Sequence, residues 1–468
     1  MSNSFRQELV PAEPFVGATF AVGILVLLAS SLYSNLFLSA AALFALLFIS
    51  TIAYFSSTRL DVAVRIVALL NVVFLMLYYP MFGFVLGHVE SFDVGLLKIV
   101  VGIRPLLVFL GLCVIALFLA IRRHDVLWPT TLLFALSVSF FHSDSSFIAR
   151  AAYFTNTLAP LFICLYVAGS KVDIKSNATN IYILFFSFAL LIMLLYGALI
   201  NNFFYDIFRP DLIYAIRARD LEPLAYGQIP GPWWSQIEGY SFIRFVGGFP
   251  DPIIAGYFFG VLVIIGISQR AYLSTLLAAF ALFLTVSKGA WIFTVNVFII
   301  ILVLNHARRF LLVAVCGLLA VQLLIALSLD SSAYIHYKGL EGGLLSAMAS
   351  PVTALIGFGM GSGGNLESIV SNDTFSREVW LSRGAESGVG TVVYQMGFLG
   401  LVLWVLLLWR LRTNMSRGPS DSSGNYALAM WLGLFVNAFL QENAINSSVL
   451  TIVLLGQFLI QRCSPSKQ

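Results

Sequence analysis

Long apolar segments separated by short polar connections dominate the chain. About fourteen of these segments are long enough to span a bilayer, at roughly 15–24 residues each. Backbone N–H and C=O groups have no water to bond in lipid, so segments this long and this apolar predict helices. The segments lie at 14–33, 36–55, 66–88, 99–121, 127–141, 150–169, 179–200, 252–268, 271–286, 289–305, 310–329, 389–409, 426–441 and 448–461.

The overall composition agrees with solvation by lipid. Of the 468 residues, 60% are hydrophobic and only 10% are charged, whereas soluble domains carry roughly 25% charged residues. A soluble globular protein is excluded, because the chain has too little polar surface to cover itself in water. We therefore predict an all-α polytopic membrane protein.

The distribution of basic residues predicts the orientation of the chain. Basic residues concentrate in short connections, and if all of these are cytoplasmic, fourteen spans place both termini in the cytoplasm. This arrangement requires two helices within 271–305, broken near Ser287, rather than one long helix. The basic residues are Arg59 and Arg65, Arg122 and Arg123, Lys171 and Lys175, Arg270, Arg308 and Arg309, and Arg410, Arg412 and Arg417.

Two longer polar segments then fall on the outer face and divide the chain. Residues 201–251 follow an N-terminal bundle of about seven spans at 1–200. Residues 330–388 separate the central helices at 252–329 from the C-terminal helices and short cytoplasmic tail at 389–468. Because loops longer than about 15 residues are usually functional, the chemistry is expected on the outer face.

The stretch RFVGGFPDPIIAG, from Arg244 to Gly256, ends the first outer segment. Pro252 at a first helical position and Asp251 at an N-cap predict the start of a helix, which makes Asp251 a cap rather than a catalyst. Gly247 and Gly248 permit close approach of a ligand to the backbone. Together with Arg244 and the helix N-terminus, they predict an anion site.

Other cations have two interpretations each. Arg217 and Arg219, in the first outer segment, either pair with its acidic residues or bind phosphate oxygens. Lys288, in LTVSKGAW, is either a snorkelling lysine or a second cation for the same anion. Arg104, a few residues inside a span, is either functional or snorkels toward the outer interface.

The second outer segment contains candidates for acid–base chemistry. Glu386, in ESGVGTVV, could cap the helix that follows or act as a general base, and His336 near a helix end is interpreted as structural. Arg377 and Arg383 are further cations. IGFGMGSGGN lacks the lysine of a nucleotide P-loop and predicts a close-packed turn instead. Since no His, Cys or Asp cluster has metal-ligand spacing, we predict neither a metal nor a cofactor.

Four motifs resemble those of the bacterial O-antigen ligase and polymerase superfamily of membrane glycosyltransferases. They are RFVGGFPDPIIAG, LTVSKGAW, LIGFGMGSG and ESGVGTVVYQMGFLGLVLW, in the order and spacing of that family. Lys288 stands where the family more often has arginine. The ligases carry an outer-loop histidine just before the last motif, where this chain reads SRGAESG, so the resemblance favours the polymerase branch.

The resemblance implies a GT-C-type helical fold in the bacterial cytoplasmic (inner) membrane, with an active site on the periplasmic face. A glycan would pass from undecaprenyl diphosphate to the non-reducing end of a lipid-linked repeat unit, without metal or cofactor. Glu386 would be the base, and Arg244 and Lys288 the principal cations. The remaining candidate residues are Arg217, Arg219, Arg377 and Arg383 for the diphosphate, followed by His336 and Arg104.

The expected partners are the lipid-linked oligosaccharide, membrane lipid and a chain-length-regulating copolymerase, with no nucleic acid. One alternative is an O-antigen ligase that transfers glycan to lipid A-core. The other is a lipid-linked glycan flippase or secondary transporter. Transporters favour internal repeats and charges near the bilayer midplane, whereas this chain shows no repeat and clusters its charges in the outer segments.

Overall fold

The computed structural model describes residues 34–76, 94–170, 234–237, 240–246, 249, 251–328, 331–366, 376–416 and 422–460. Apart from an antiparallel β-hairpin, Trp234–Ile237 (β1) and Tyr240–Ile243 (β2), its regular elements are helices. Some sequence-based predictions lie outside these residues. They are the spans 14–33 and 179–200, and the residues Lys171, Lys175, Arg217, Arg219, Gly247, Gly248 and Arg417.

The helices before the hairpin form the N-terminal part of the bundle. They are α1 (Ser34–Thr58), α2 (Leu60–Met76), α3 (Val94–Arg123), α4 (Leu127–His142), α5 (Phe147–Tyr153) and α6 (Ala159–Ala168), with a π-helical turn at Phe154–Leu158 between the last two.

The helices after the hairpin form the rest of the bundle. They are α7 (Pro252–Ser268), α8 (Tyr272–Thr285), α9 (Lys288–His306), α10 (Leu311–Ser328), α11 (Ser331–Ala347), α12 (Pro351–Ile356), α13 (Arg377–Ser382), α14 (Gly388–Ser416), α15 (Ser422–Ala438) and α16 (Ser447–Ile460). Short 3₁₀ turns at Arg308–Phe310 and Glu442–Ile445 precede α10 and α16.

Several of these helices have the length and composition of membrane spans. Within the described part of the chain, five helical stretches are long and apolar enough to cross a membrane, namely Ile103–Arg123, Phe147–Ala168, Lys288–His306, Arg308–Ser328 and Gly388–Met415. The helical class predicted from the sequence is confirmed. Apolar helices of this length are typical of a membrane-embedded protein.

The centre of the bundle consists of helices that are buried on all sides. Every residue of α16 is buried, as are most residues of α7. The two helices approach each other closely, since a Cβ at Gly456 would lie 2.5 Å from the Cγ1 atom of Val261. A helix that is hydrophobic all round needs such a central position.

The prediction that 271–305 contains two helices is confirmed. Helix α8 ends at Thr285 and α9 begins at Lys288, with Val286 in the left-handed region at φ 46° between them. A β-branched residue is rare in that conformation, so contacts around the turn must offset its cost. The Trp291 Nε1 group closes the turn by donating to the Leu282 carbonyl at 2.9 Å.

The second outer segment is far more helical than a loop. Helices α11, α12 and α13 occupy most of its described part. The prediction of a polar loop at 330–388 therefore needs correction, because this polar sequence builds its own helices. Helix α14 also extends beyond the predicted 389–409 and is interrupted at Gly397, where φ is 62°.

Some basic residues that the sequence analysis placed in connections lie inside helices, Arg410 and Arg412 near the end of α14 and Arg65 more than one turn inside α2. Arg65, expected in a connection, lies inside α2 and is only 2% exposed. Its Nη2 atom pairs with Asp61 Oδ2 at 2.8 Å. Two opposite charges one helical turn apart can neutralise each other inside a bundle. A basic residue by itself is therefore not sufficient evidence for a connection between helices.

Several other basic connections lie together at one end of the bundle. Arg122 Nη2 donates to the Ser57 carbonyl at 3.2 Å, which joins the last turns of α1 and α3. Arg410 pairs with Asp125 and brings the end of α14 to the α3–α4 connection. The connections that precede α7, α9, α14 and α16 lie at the opposite end, and three of them carry the sequence motifs.

Candidate active site

The first motif begins α7 as predicted. The Asp251 carboxylate accepts hydrogen bonds from the backbone N–H groups of Ile253 at 2.9 Å and Ile254 at 2.8 Å. Pro252 occupies the first helical position. This double acceptance is the function of an N-cap, so Asp251 is explained by the helix start and not by catalysis.

Arg244 is anchored to the end of the neighbouring helix. Its Nε atom donates to the Thr285 carbonyl at 2.9 Å, and the Phe245 N–H donates to the Leu284 carbonyl at 2.9 Å. Partial burial lowers the pKa of Arg244, and the nearby Asp251 charge opposes that shift. Arg244 is therefore a half-buried cation held beside the α8–α9 turn.

Lys288 is exposed at the first position of α9. The next residue, Gly289, is in close contact with the C-terminal end of α15. Its carbonyl accepts from Asn437 Nδ2 at 3.1 Å, and a Cβ in its place would lie 2.9 Å from the Gln441 side chain. The second motif thus adjoins the α15–α16 connection, which also reaches the last motif through Gln441.

The last motif places Glu386 against His336. His336 Nδ1 lies 3.2 Å from Glu386 Oε2 and 3.0 Å from the Glu386 carbonyl oxygen. Both side chains are partly exposed, His336 at 21% and Glu386 at 26%. The His336 ring nitrogen pairs with Oε2 of Glu386 and not with Oε1. The structure therefore brings together two candidates that the sequence placed 50 residues apart.

The capping interpretation of Glu386 is wrong, because Ser387 is the cap. Ser387 Oγ accepts from the Gly390 N–H at 3.0 Å, and its carbonyl accepts from the Thr391 N–H at 2.8 Å. Glu386 itself adopts a left-handed conformation with φ 70°. A non-glycine residue there costs about 1–2 kcal/mol, which other contacts must offset.

The surrounding amide defines the tautomer of His336. Gln441 Nε2 lies 3.3 Å from His336 Nε2. An amide nitrogen can only donate, so Nε2 accepts and Nδ1 carries the proton that points at Glu386. His336, which the sequence analysis interpreted as structural, is thus oriented to donate to the Glu386 carbonyl, and Glu386 Oε2 lies 3.2 Å from the same nitrogen.

Glu442 is a site residue that the sequence analysis missed. It lies in the connection between α15 and α16 and is 8% exposed. Its carboxyl accepts from the Asn365 N–H, 2.9 Å from each oxygen, and from the Glu386 N–H at 3.1 Å. Burial, assisted by the Glu386 charge, raises its pKa to about 8 although the two N–H groups act in the opposite sense. The only sequence signal is an acidic residue in a short polar connection, FLQENAINSS.

The raised pKa of Glu442 predicts that the stability of the protein depends on pH. The pKa rises from 4.5 in an ordinary carboxyl to about 8 in the fold, so folding favours the neutral form. This contribution, at most roughly 5 kcal/mol, is fully present below about pH 4.5 and is lost as pH rises through about 8.

The melting temperature of the purified protein should therefore fall between about pH 5 and about pH 9. In a Glu442→Gln variant the side chain has the shape of the neutral glutamate and cannot lose a proton. Its melting temperature should therefore fall less over that range. Parallel curves for the two proteins would contradict the raised pKa of Glu442.

The glycine-rich segment forms a close-packed turn, as predicted. Gly357, Gly359, Gly361 and Gly364 have φ between 73° and 89°. A Cβ at each would approach protein atoms within 3.0 Å, so these glycines permit close packing. Gln395 holds the turn by accepting from the Gly361 N–H at 2.9 Å. The segment therefore delivers Asn365 to the site.

The other predicted cations divide into near and distant ones. Arg383, half-buried, ends α13 and its carbonyl accepts from the Gly364 N–H at 3.1 Å, whereas Arg377 is exposed at the start of α13. Arg104 Nη1 donates to Asn71 Oδ1 and Ser448 Oγ, both at 2.8 Å. These bonds tie α3 to α2 and α16, so they explain Arg104 by interhelical bonding.

The site suits acid–base and anion chemistry. Within the described part of the chain, no group of three or more His, Cys, Asp or Glu side chains could hold a metal ion. Comparison with protein-family models, with curated proteins and with solved structures finds no match to the chain. The site geometry and the sequence motifs are therefore the basis of the functional argument.

Proposed function

We propose that the protein is a metal-independent glycosyltransferase that polymerises a bacterial polysaccharide such as O-antigen or exopolysaccharide. It would transfer a glycan chain from undecaprenyl diphosphate to the non-reducing end of a lipid-linked repeat unit. The observation that carries the proposal is the His336–Glu386 pair, which is partly exposed and connected through Gln441 to the start of α9. The order of the four motifs along the chain adds support.

The reaction requires a base and a stabilised leaving group. Oε1 of Glu386, the oxygen that does not face His336, would accept the proton of the acceptor hydroxyl as the hydroxyl oxygen attacks the anomeric carbon. The bond from that carbon to the diphosphate oxygen breaks, and undecaprenyl diphosphate leaves with the electron pair. Arg244 and Lys288 would stabilise its charge. Arg217, Arg219, Arg377 and Arg383 remain candidates for further diphosphate contacts.

The proposed location is the bacterial cytoplasmic membrane, with this site on the periplasmic face. Clustering of basic connections at the opposite end of the bundle supports that orientation, because cytoplasmic loops are enriched in Lys and Arg. A donor on a polyprenyl carrier would then present its diphosphate at the membrane surface, beside the first turn of α9.

The test is reconstitution of the reaction with purified protein. Vesicles containing the protein and undecaprenyl-diphosphate-linked repeat units should yield longer glycan chains and released undecaprenyl diphosphate. If the protein instead moves the lipid-linked glycan across the membrane and releases no lipid diphosphate, the glycosyltransferase proposal fails and the transporter alternative replaces it.

Removal of either cation should slow the reaction strongly. Arg244→Ala or Lys288→Ala should lower kcat by about 10²–10³-fold, because each removes charge stabilisation from the leaving diphosphate. Release of undecaprenyl diphosphate measures the effect. Arg309→Ala, at an exposed position at the other end of the bundle, is the matched control and should leave kcat unchanged. Full turnover by Arg244→Ala would remove Arg244 from the diphosphate site.

One observation favours the ligase as a second candidate. The ligases carry a histidine just before the last motif. This chain has no histidine at that point of the sequence, but the side chain of His336, from another part of the chain, lies 3.2 Å from Glu386, where the last motif begins. The accumulating intermediate separates the two activities in cells. Loss of a polymerase leaves single repeat units on the lipid carrier, whereas loss of a ligase leaves long polymer on it.

A further inference from the structure

We propose that Glu442 is a positioning residue that holds Glu386 in the conformation in which its side chain meets His336. The inference rests on the proposed function, in which Glu386 is the general base. Glu442 itself has no direct part in the chemistry, since its carboxyl is buried behind the segment that carries Glu386.

The backbone of Glu386 is bound by Glu442 at both its N–H and its carbonyl group. The Glu386 N–H donates to Glu442 Oε2 at 3.1 Å, and the Glu442 N–H donates to the Glu386 carbonyl at 3.1 Å. The same carbonyl lies 3.0 Å from His336 Nδ1. Glu442 thus satisfies both polar backbone groups of a residue whose φ of 70° is unfavourable for any side chain.

Glu442 also fixes the turn next to Glu386. The Asn365 N–H donates to both oxygens of Glu442 at 2.9 Å, and Asn365 Oδ1 accepts from the Glu386 N–H at 3.1 Å. The Tyr153 hydroxyl lies 3.4 Å from Glu442 Oε1 and accepts from the Leu366 N–H at 2.8 Å. One carboxyl therefore joins α5, the glycine-rich turn and the last motif.

Burial of the Glu442 carboxyl favours its neutral form, although its hydrogen-bond donors favour the charged one. Glu386 and Tyr153 are the titratable groups that face Glu442, and His336 faces the other side of Glu386. A neutral carboxyl can accept both N–H groups and leave Glu386 as the negative group beside His336. Glutamine has the same shape as a neutral glutamate and retains one carbonyl acceptor, whereas leucine fills the space with no acceptor.

The test combines kinetics with a measurement that needs no substrate. In protein with ¹⁵N-labelled histidine, the His336 ring signal is assigned by His336→Gln among the five histidines. Glu442→Leu should shift that signal in the direction that Glu386→Gln shifts it. It should also lower kcat by about 100-fold with little change in KM, because the base is misplaced. Glu442→Gln should restore kcat to within about threefold of wild type, a barrier change below 1 kcal/mol.

The matched control is Glu341→Gln, which removes a carboxylate paired with Lys338 on the same helix as His336. It should change neither the ring signal nor kcat. If Glu442→Leu does not fold, Glu442→Asp replaces it, since its shorter carboxyl withdraws from the Glu386 N–H and should give the same losses. A folded variant with an unchanged His336 signal overturns the positioning role. A shifted signal in a protein whose wild type transfers no glycan supports the positioning role and rejects the proposed function instead.

Discussion

Glu386→Gln is expected to lower kcat by about 10³-fold, the middle of the range for loss of a general base. The amide keeps the shape of the side chain and one contact to His336, but it cannot accept a proton from an attacking hydroxyl. KM should change little, because Glu386 is not among the diphosphate contacts. The measurement is the rate of undecaprenyl diphosphate release at saturating donor.

The matched control for this prediction is Glu378→Gln, at an exposed position in the first turn of α13. It removes a nearby carboxylate without touching His336 and should leave kcat unchanged. Turnover by Glu386→Gln within about tenfold of wild type, a barrier change of only 1.4 kcal/mol, would assign the base to another group.

Gly339→Ala is expected to have the largest effect on stability. A Cβ at Gly339 would overlap the carbonyl oxygen of Ala385 and lie 3.5 Å from the Ser387 N atom. The obstacle is backbone, which cannot rotate away, so α11 and the segment holding Glu386 must separate. Overpacking of this kind costs about 1–3 kcal/mol or more. The melting temperature should fall, and kcat should fall with it because His336 lies on α11.

Gly317→Ala is the control, because no atom lies within 4 Å of a Cβ at Gly317 in the interior of α10. There alanine should stabilise the helix by about 0.5–1 kcal/mol. A lower melting temperature for Gly339→Ala and a higher one for Gly317→Ala would show that the packing of α11 against the backbone of 385–387 determines the result. Equal melting temperatures for both variants would contradict the close approach at Gly339.

The helix boundaries were predictable where the signals are local. Pro252 and Asp251 specify the start of α7 within one turn, and the structure places both as predicted. The break near Ser287 was inferred from loop charge, and the left-handed conformation of Val286 has no local signal because β-branched residues rarely adopt it. Helices α11 and α12 were not predicted, because the polar composition of 331–356 resembles that of a loop.

The candidate site was predictable only in part. Glu386 was identified from its motif, but the Ser387 contact that excludes Glu386 as the cap and the contact with His336 cannot be seen in a local pattern. Glu442 carries no motif and lies 56 residues from Glu386. Arg104 shows the converse, because its functional signal, a charge within an apolar span, is explained by bonds to Asn71 and Ser448.

The sequence by itself determined that this chain forms apolar helices with capped ends, because lipid solvation and capping depend on composition and on residues within one turn. Only the tertiary structure decided that His336, Glu386 and Glu442 meet. Their contacts span 50 and 56 residues, and they exist because α11 approaches the backbone of 385–387 at Gly339. Such an approach depends on the packing of whole helices, which no short stretch of sequence specifies.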